Sequence, residues 1–459
     1  MTSATLVLTE VIAAGLAAIA SEYVEHAAVL LVGVHAGPGR LRLLARELHV
    51  VDAEHCDRRT DEMTISSAGW IRALQRAEVL GAAAVWVHTH PAGDPTPSRR
   101  DAQVDMELSG PFTVRSGAPL YASVVVAPSQ TATNFTFTGL GHHAGQGFRI
   151  ERCLVVGSRM RVESSHDSQP QTPLPSLYDR QVRAFGGDLQ RTLGMLRVGL
   201  AGCGGTGSAV AEQLARLGVR HLTGIDPDTL SESNTTRVFG SDPTKIGQSK
   251  VQVLSEHVRT IAPDARVHAI TGKITEEANA RQLADCDVVF GCTDDEAGRM
   301  VLSRLASYQL VPVIDCGVLI DSDGGTVRGI HARVTTMHPG AACLLCRGRV
   351  DPALAAAELA TRDEHARLVR EGYAPELPGV EPAVVAYTTL AAALAVGELL
   401  ERLVGYGPAT APTEILARLH EREMSTNTRP YRVGHYCDPA AGLLGAGDTA
   451  PFLGQAWAS

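Results

Sequence analysis

Three apolar runs in the first third of the chain, "VEHAAVLLVGVH" at 24–35, "AAAVWVHTH" at 82–90 and "YASVVVAPS" at 121–129, are short, rich in β-branched residues and bounded by polar turns. Such runs read as buried strands. Helical spacing of apolar positions at 3–20 and 66–80 adds two helices, so the region reads as an α/β domain with a central mixed sheet. From 164 to 176 the text becomes "SSHDSQPQTPLPS", polar and proline-rich without apolar periodicity, which is linker composition. Beyond it, "LRVGLAGCGGTGSAVAEQLARLGVRHLTGIDPD" runs strand, glycine turn, amphipathic helix, strand, the opening of a doubly wound Rossmann-like sheet. Further strands are expected at "ARVHAITG", "CDVVFGCTD", "LVPVIDCGV" and "TVRGIHARV". The expected domains are therefore 1–163 and 177–442, joined by the linker 164–176, with 443–459 as a loose Gly/Ala-rich tail.

At 459 residues, two hydrophobic cores are the natural expectation. A net charge of -9 and the lack of a dense basic block argue against nucleic acid as the main partner. The longest apolar segments, such as "TTLAAALAVGELL", fall short of the roughly 20 residues that span a bilayer. No membrane association and a cytoplasmic location are expected, since nothing at the start has the pattern of a secretory signal. Nine cysteines, scattered apart from one C-x-x-C, fit reduced thiols, some of them on a metal, better than a disulfide framework.

The apolar run at 82–90 ends in His88 and His90, two apart and so on one side of a strand. After seven intervening residues Ser98 and Asp101 stand three apart, one face of a starting helix, from which Asp101 can swing back as a third ligand. Two imidazoles and a carboxylate suit a catalytic zinc with its fourth position open to water. The alternative is a pair of histidines in a polar loop. The spacing, with a glutamate ahead of a strand, resembles the JAMM/MPN+ metalloprotease family over roughly residues 15–160. The resemblance implies that His88, His90 and Asp101 hold zinc, that Ser98 positions the scissile carbonyl or its oxyanion, and that Glu25 is the general base, with Glu22 the fallback. The loop "HPAGDPTPS" also looks like that of RadC-type proteins, so the motif speaks for fold and metal more than for substrate.

"GCGGTG" contains Gly202, Gly204, Gly205 and Gly207 between a strand and a helix, an arrangement that sets backbone N–H groups against a phosphate. Asp226 ends the next strand, where it can bind ribose hydroxyls. Up to this point a dehydrogenase binding NAD fits equally well. Four further stretches, "YDRQV" at 178–182, "GIDPDTLSESNTTRVF" at 224–239, "IGQSKV" at 246–251 and "CTDD" at 292–295, resemble in order and spacing the ThiF/MoeB family, the adenylating domain of ubiquitin-activating enzymes. The resemblance implies ATP and magnesium as cofactors: Asp226 and Asp228 on the nucleotide side, Asn234, Arg237 and Lys250 on phosphates, Asp294 on magnesium, and Arg180 reaching phosphates from the partner subunit of a homodimer. Lys250 is one of three lysines in the chain.

Two departures from that family stand out. Where thioester-forming members carry a cysteine in a pattern like "CVEAGV", this chain has "PGVEPAVV", with Gly379 in the cysteine's place and no cysteine between Cys346 and Cys437. That points to an enzyme that stops at the acyl-adenylate; Cys316 is the conceivable substitute thiol, with a buried structural role as its alternative. The family's second C-x-x-C is reduced to "GHYC", so Cys343, Cys346 and Cys437 with His435 as fourth member would make a structural zinc site. Here the alternative is a loop packed without metal.

Together the two resemblances imply a bifunctional enzyme, as in bacterial ubiquitin-like modification systems: a zinc peptidase or isopeptidase that trims or removes a ubiquitin-like protein, and an ATP-dependent domain that adenylates its C-terminal glycine for a conjugating enzyme. Sulfur-carrier processing for thiocarboxylate formation is the second expectation. A non-catalytic scaffold that binds a ubiquitin-like protein is the third.

Overall fold

The computed structural model describes residues 2–58, 63–129, 134–167, 173–360, 366–367, 369–370 and 382–457. The chain forms two compact units. The first comprises residues 1–172 with 308–310 and 442–450; the second comprises 173–307, 311–441 and 451–459.

The first unit runs β1 (Thr2–Thr9), α1 (Glu10–Ala20), β2 (Ala27–Gly37), β3 (Arg40–Val50), β4 (Cys56–Arg58), β5 (Met63–Ile65), α2 (Ala68–Leu80), β6 (Ala83–Thr89), α3 (Arg99–Ser116), β7 (Leu120–Pro128), β8 (Phe135–His143), β9 (Gln146–Val156) and β10 (Met160–Ser164). Eight strands make one mixed sheet in the order β1-β3-β2-β6-β7-β8-β9-β10, and β1 also pairs with β9, so the sheet closes on itself. Ile12, Leu16 and Ala17 of α1 pack with Leu30, Val32, Val85, Val124 and Phe137 on one face of this sheet. Val29, Leu31 and Trp86 face the other way, against Leu74 of α2 and Phe112 of α3. Both faces of β2 and β6 are thus covered, which is why those strands read as continuous apolar runs rather than alternating ones. Each fully buried Leu, Ile or Phe contributes about 1.5–3 kcal/mol to the unit.

Two expectations are corrected here. The apolar segment at 3–20 is not one helix: "TSATLVLT" is β1, and the Thr9 side chain accepts from the Ile12 amide to cap α1. β-branched residues and a capping threonine break the helical pattern at that point. Nor is the tail loose. Asp448 pairs with the buried His35 at 2.8 Å and accepts from the Ala36 amide at 3.1 Å. A Cβ on Gly33 would lie 2.0 Å from the Gly445 carbonyl oxygen, and Gly445 has φ +68°. The glycines that look like linker composition are there because two backbones meet. In the second unit Phe452 and Leu453 are buried as well.

The second unit opens with α4 (Asp179–Phe185) and α5 (Gly187–Met195), then β11 (Arg197–Ala201), α6 (Gly205–Leu217), β12 (His221–Ile225), α7 (Lys250–Ile261), β13 (Arg266–Ile270), α8 (Glu277–Ala284), β14 (Val288–Gly291), α9 (Glu296–Tyr308), β15 (Val313–Asp323) and β16 (Thr326–Met337). α10 (Pro352–Leu359), α11 (Val385–Val404), β17 (Glu414–Arg418) and β18 (Glu423–Asn427) follow. Its sheet has the order β13-β12-β11-β14-β15-β16-β17-β18, parallel through β15 and antiparallel beyond. This is a doubly wound sheet, as expected, with an antiparallel extension. The strand order reverses between β11 and β14, so a crevice opens beyond the carboxyl ends of those strands.

Candidate functional site

In the first unit, β6 carries His88 between two neighbours: His88 pairs with Ala27 of β2 and with Val125 of β7. The pinning continues past the strand end. The Thr89 amide donates to the His26 carbonyl at 2.9 Å, the His26 amide donates to Thr89 Oγ1 at 2.8 Å, and the His90 amide donates to the Val126 carbonyl at 2.8 Å. The two rings lie on one side, with centroids 5.1 Å apart. His90 Nδ1 faces the Asp94 carbonyl at 2.8 Å, which fixes that proton and leaves Nε2 as the free lone pair.

Asp101 arrives from α3. Ser98 is the N-cap: its hydroxyl accepts from the Asp101 amide at 3.2 Å, while its own amide donates to Asp101 Oδ2 at 2.6 Å. The S-x-x-D spacing is therefore a capping box, and the box fixes the carboxylate. Asp101 Oδ1 lies 3.3 Å from His88 Nε2 and Oδ2 lies 3.5 Å from His90 Nε2. His88 is buried, and among the described residues its Nε2 has no hydrogen-bond partner. A tetrahedral zinc with ligand bonds near 2.0–2.1 Å has N-to-O edges of ~3.3 Å, so these donors are spaced for that ion. Burial pushes the Asp101 carboxyl up, but the imidazoles of His88 and His90 outweigh it and hold the group well below the ordinary range. Asp101 in turn raises His90 against the effect of its burial.

Glu25 follows from register. Ala27 opposes His88 in an antiparallel pair that continues through the Thr89–His26 contact, so Glu25, two residues before β2, falls across from His90, and its charge also raises His90. Glu25, His88, His90, Ser98 and Asp101 line one cavity of about 520 Å³, whereas Glu22 is exposed on the preceding turn. Two imidazoles and two carboxylates lining a cavity suit metal-assisted hydrolysis.

In the second unit, Gly202 has φ +91°, and a Cβ there would meet the Cys292 carbonyl oxygen at 2.6 Å. A Cβ on Gly207 would come within 1.9 Å of the Gly202 carbonyl oxygen. These two glycines serve the turn itself. Gly204, the N-cap of α6, has open space where a Cβ would be, so its backbone is free to approach a ligand. Gly205 lies under the Arg237 stem, 3.2 Å from where its Cβ would stand. Asp226 is buried at the end of β12 and accepts from the Cys203 amide at 2.6 Å and the Asp228 amide at 2.9 Å. Burial pushes its carboxyl up, against those two hydrogen bonds and the Lys250 charge.

Residues 228–230 and 247–250 pair back on each other, with Lys250 N donating to the Asp228 carbonyl at 3.0 Å and Leu230 N to the Gln248 carbonyl at 2.7 Å. This hairpin-like closure brings Lys250 Nζ to 2.7 Å from Asp228 Oδ2. Asn234 is buried, its Oδ1 accepting from the Ser231 amide at 3.0 Å, and Arg237 donates to the Ser233 carbonyl at 2.9 Å. In the loop after β14 Asp295 turns inward to accept from the Gly298 amide at 2.7 Å, leaving Asp294 exposed. Arg180 is exposed on α4, and among the described residues no hydrogen bond or ion pair joins it to the glycine loop. Gly379 lies outside the described residues. Cys316 is buried in β15, its Sγ directed at the Ile314 carbonyl at 3.8 Å.

A second donor cluster joins distant stretches of this unit. His435 Nδ1 is 3.6 Å from Cys343 Sγ, 3.4 Å from Cys346 Sγ and 3.2 Å from Cys437 Sγ, and the Cys346 and Cys437 sulfurs are 3.6 Å apart. For zinc with Zn–S near 2.3 Å the tetrahedron has S-to-S edges of ~3.8 Å and S-to-N edges of ~3.6 Å, so all four donors fit one ion. The Cys343 thiol is lowered to about 5, chiefly by its hydrogen bond with Cys437. Asp438 braces the loop, accepting from the Gly434 and Ala440 amides.

Reading the sequence overlooked the supports. Thr89, the Asp94 carbonyl, Ser231 and Asp438 hold these groups through backbone contacts. Only the capping spacing of Ser231 and Asn234 carries a sequence signal for any of them.

The fold and glycine loop of the second unit define a nucleotide-binding α/β protein. The ThiF family model matches residues 178–435, more than half of the chain, and the chain belongs to that family. It is 31% identical over 175 residues to a molybdopterin-synthase adenylyltransferase of Escherichia coli (strain K12), covering 38% of this chain and 68% of that protein. An adenylyltransferase and sulfurtransferase of Zea mays is 28% identical over 269 residues, 57% of this chain and 53% of its own length. A ubiquitin-activating enzyme of Triticum aestivum is 28% identical over 156 residues, 32% of this chain and 15% of its own length. No helix of the described residues is long and apolar enough to cross a membrane.

Proposed function

We propose that the second unit adenylates the C-terminal carboxylate of a small ubiquitin-like or sulfur-carrier protein at the expense of ATP, and that the first unit is a zinc-dependent peptidase acting on the same polypeptide class. The observation that carries the first half is the open face of Gly204 at the start of α6, with the Arg237 stem against the next residue, Gly205, and Lys250 paired with Asp228 just beyond Asp226. Backbone amides of the first turn of α6 face the phosphates. Attack of a carboxylate on the α-phosphate gathers anions, so Arg237, Lys250 and Asn234 supply positive charge and hydrogen bonds, and Asp294 would hold a magnesium, whose charge would offset that of the phosphates. Asp226 and Asp228 take the nucleoside side. Arg180 completes the site of a second copy in a homodimer, and with Gly379 where a thiol would stand, the acyl-adenylate passes directly to the nucleophile of a partner such as a conjugating enzyme.

For the peptidase, a bound zinc would supply an activated water near neutral pH. His88, His90 and Asp101 would hold that zinc, Glu25 would take a proton from the attacking water and return it to the leaving amine, and the Ser98 hydroxyl would face the scissile carbonyl. The Cys343, Cys346, His435 and Cys437 cluster would hold a second zinc as a structural clamp.

ATP–pyrophosphate exchange with a candidate small protein ending in glycine tests the first half. Lys250→Ala should lower it by about 10²–10³-fold; exchange that ignores both Lys250 and Arg237 would refute the assignment. The relatives whose names include sulfurtransferase support the sulfur-carrier form equally with the ubiquitin-like form. Assay of thiocarboxylate against covalent conjugate on the adenylated partner separates them.

A further inference from the structure

The cavity at the zinc ligands extends well past them, and its far wall has a different chemistry. Along α3, Asp101, Val104 and Leu108 follow at i, i+3 and i+7 and so share one helical face, which leads from the metal ligand to an apolar surface. Met63 and Ile65 of β5 and Trp70 of α2 line the same cavity and, like Leu108, pack against one core cluster. Val104, Leu108, Met63, Ile65 and Trp70 are each half-buried, so the wall is apolar surface left partly open to the cavity rather than closed core. Trp70 is held in place by Phe112, their ring centroids 5.7 Å apart. An aqueous cleft that keeps five large apolar side chains next to a hydrolytic centre gains most when an apolar group of the substrate covers them.

We propose that this wall is a specificity subsite for one large apolar side chain, leucine, methionine or phenylalanine, flanking the scissile bond of the substrate polypeptide. A glycine terminus has no side chain to fill it, so the apolar residue belongs to another position near the cut. The subsite rests on the peptidase reading for the bond that is cut, and its occupancy can be measured without cleavage.

The test uses the full chain, loaded with zinc, carrying Glu25→Gln to stop turnover. Trp70 and Trp86 line the cavity and report binding through fluorescence. Against capped peptides of the form Ala-Gly-Xaa-Ala, those with Xaa leucine, methionine or phenylalanine should bind about tenfold or more tighter than those with alanine, lysine or aspartate. Val104→Trp, at a half-exposed helical position, fills the cleft and should abolish the preference while leaving the melting temperature unchanged. Val104→Glu, which places a charge on the wall, should do the same. In parallel, the unsubstituted chain is given a random octapeptide library, and cleavage should select an apolar residue at one position beside the cut. Apolar preference in binding with no cleavage upholds the subsite and refutes the peptidase. Cleavage without that preference does the reverse. Equal binding of all peptides, or a preference untouched by both Val104 variants, overturns the subsite.

Discussion

The two donor clusters of this chain are built from opposite materials. One uses two histidines and an aspartate within fourteen residues, set on a strand end and a helix start, at the wall of an open cavity. The other uses three cysteines and a histidine drawn from stretches about ninety residues apart and packed among buried side chains, with four donors and no position left over. Three ligands beside a cavity leave room for water and substrate, whereas four ligands in a closed tetrahedron can only hold chain to chain. The first geometry suits chemistry, the second a staple.

The largest effect should come from breaking the staple. Cys346→Ser removes one of four donors and uncouples residues 343–346 from 435–437. A loss on the order of 3–5 kcal/mol, seen as a fall of about 10 °C in Tm, is expected for the second unit, with pyrophosphate exchange lost above that temperature. An unchanged Tm would mean that the loop packs without metal. Next in size, Glu25→Gln should lower zinc-dependent peptide cleavage by about 10²–10⁴-fold and leave Tm and exchange unaltered. If Glu22→Gln has that effect instead, the register argument that places Glu25 opposite His90 fails.

Metal removal sharpens the contrast without mutation. A chelator such as dipicolinate should take one zinc quickly, abolishing cleavage, and a second only slowly, on the timescale of unfolding. One kinetic phase for both ions would contradict the distinction between open and closed sites. Smallest of all, Ser98→Ala should cost about 1 kcal/mol in the first unit through loss of the N-cap hydroxyl. The Ser98 amide that holds Asp101 Oδ2 survives the change, so zinc should still bind. Zinc lost along with the hydroxyl would show that the hydroxyl, not the amide, fixes the ligand.

The two clusters also differ in how far they could be read from sequence. The His88, His90 and Asp101 set was legible because its spacing is local: strand period two, then helix spacing three. His435 was the weakest member of its set, since a single histidine near one cysteine has no periodicity, and only the fold brings it within 3.6 Å of Cys343. The doubly wound strands were legible for the same local reason. β17 and β18 were missed because they carry mixed polar and apolar residues and pair only with the antiparallel extension of the sheet. The 443–450 segment was misread because glycine and alanine signal flexibility in sequence, while next to Gly33 they permit a close backbone approach. The apolar cavity wall lay beyond sequence reading, since Met63, Trp70 and Val104 come together only when α2, α3 and β5 pack around one space.

The most direct test of the whole account is ATP–pyrophosphate exchange with one small glycine-terminated partner in two forms, a precursor with residues beyond the terminal glycine and the trimmed protein. The precursor should support exchange with the intact chain and not with Glu25→Gln, while the trimmed form should support it with both. If the trimmed form of every candidate partner fails, the second unit does not adenylate a C-terminal glycine and the central proposal is wrong. If the precursor works equally well with Glu25→Gln, the first unit does not prepare the substrate of the second.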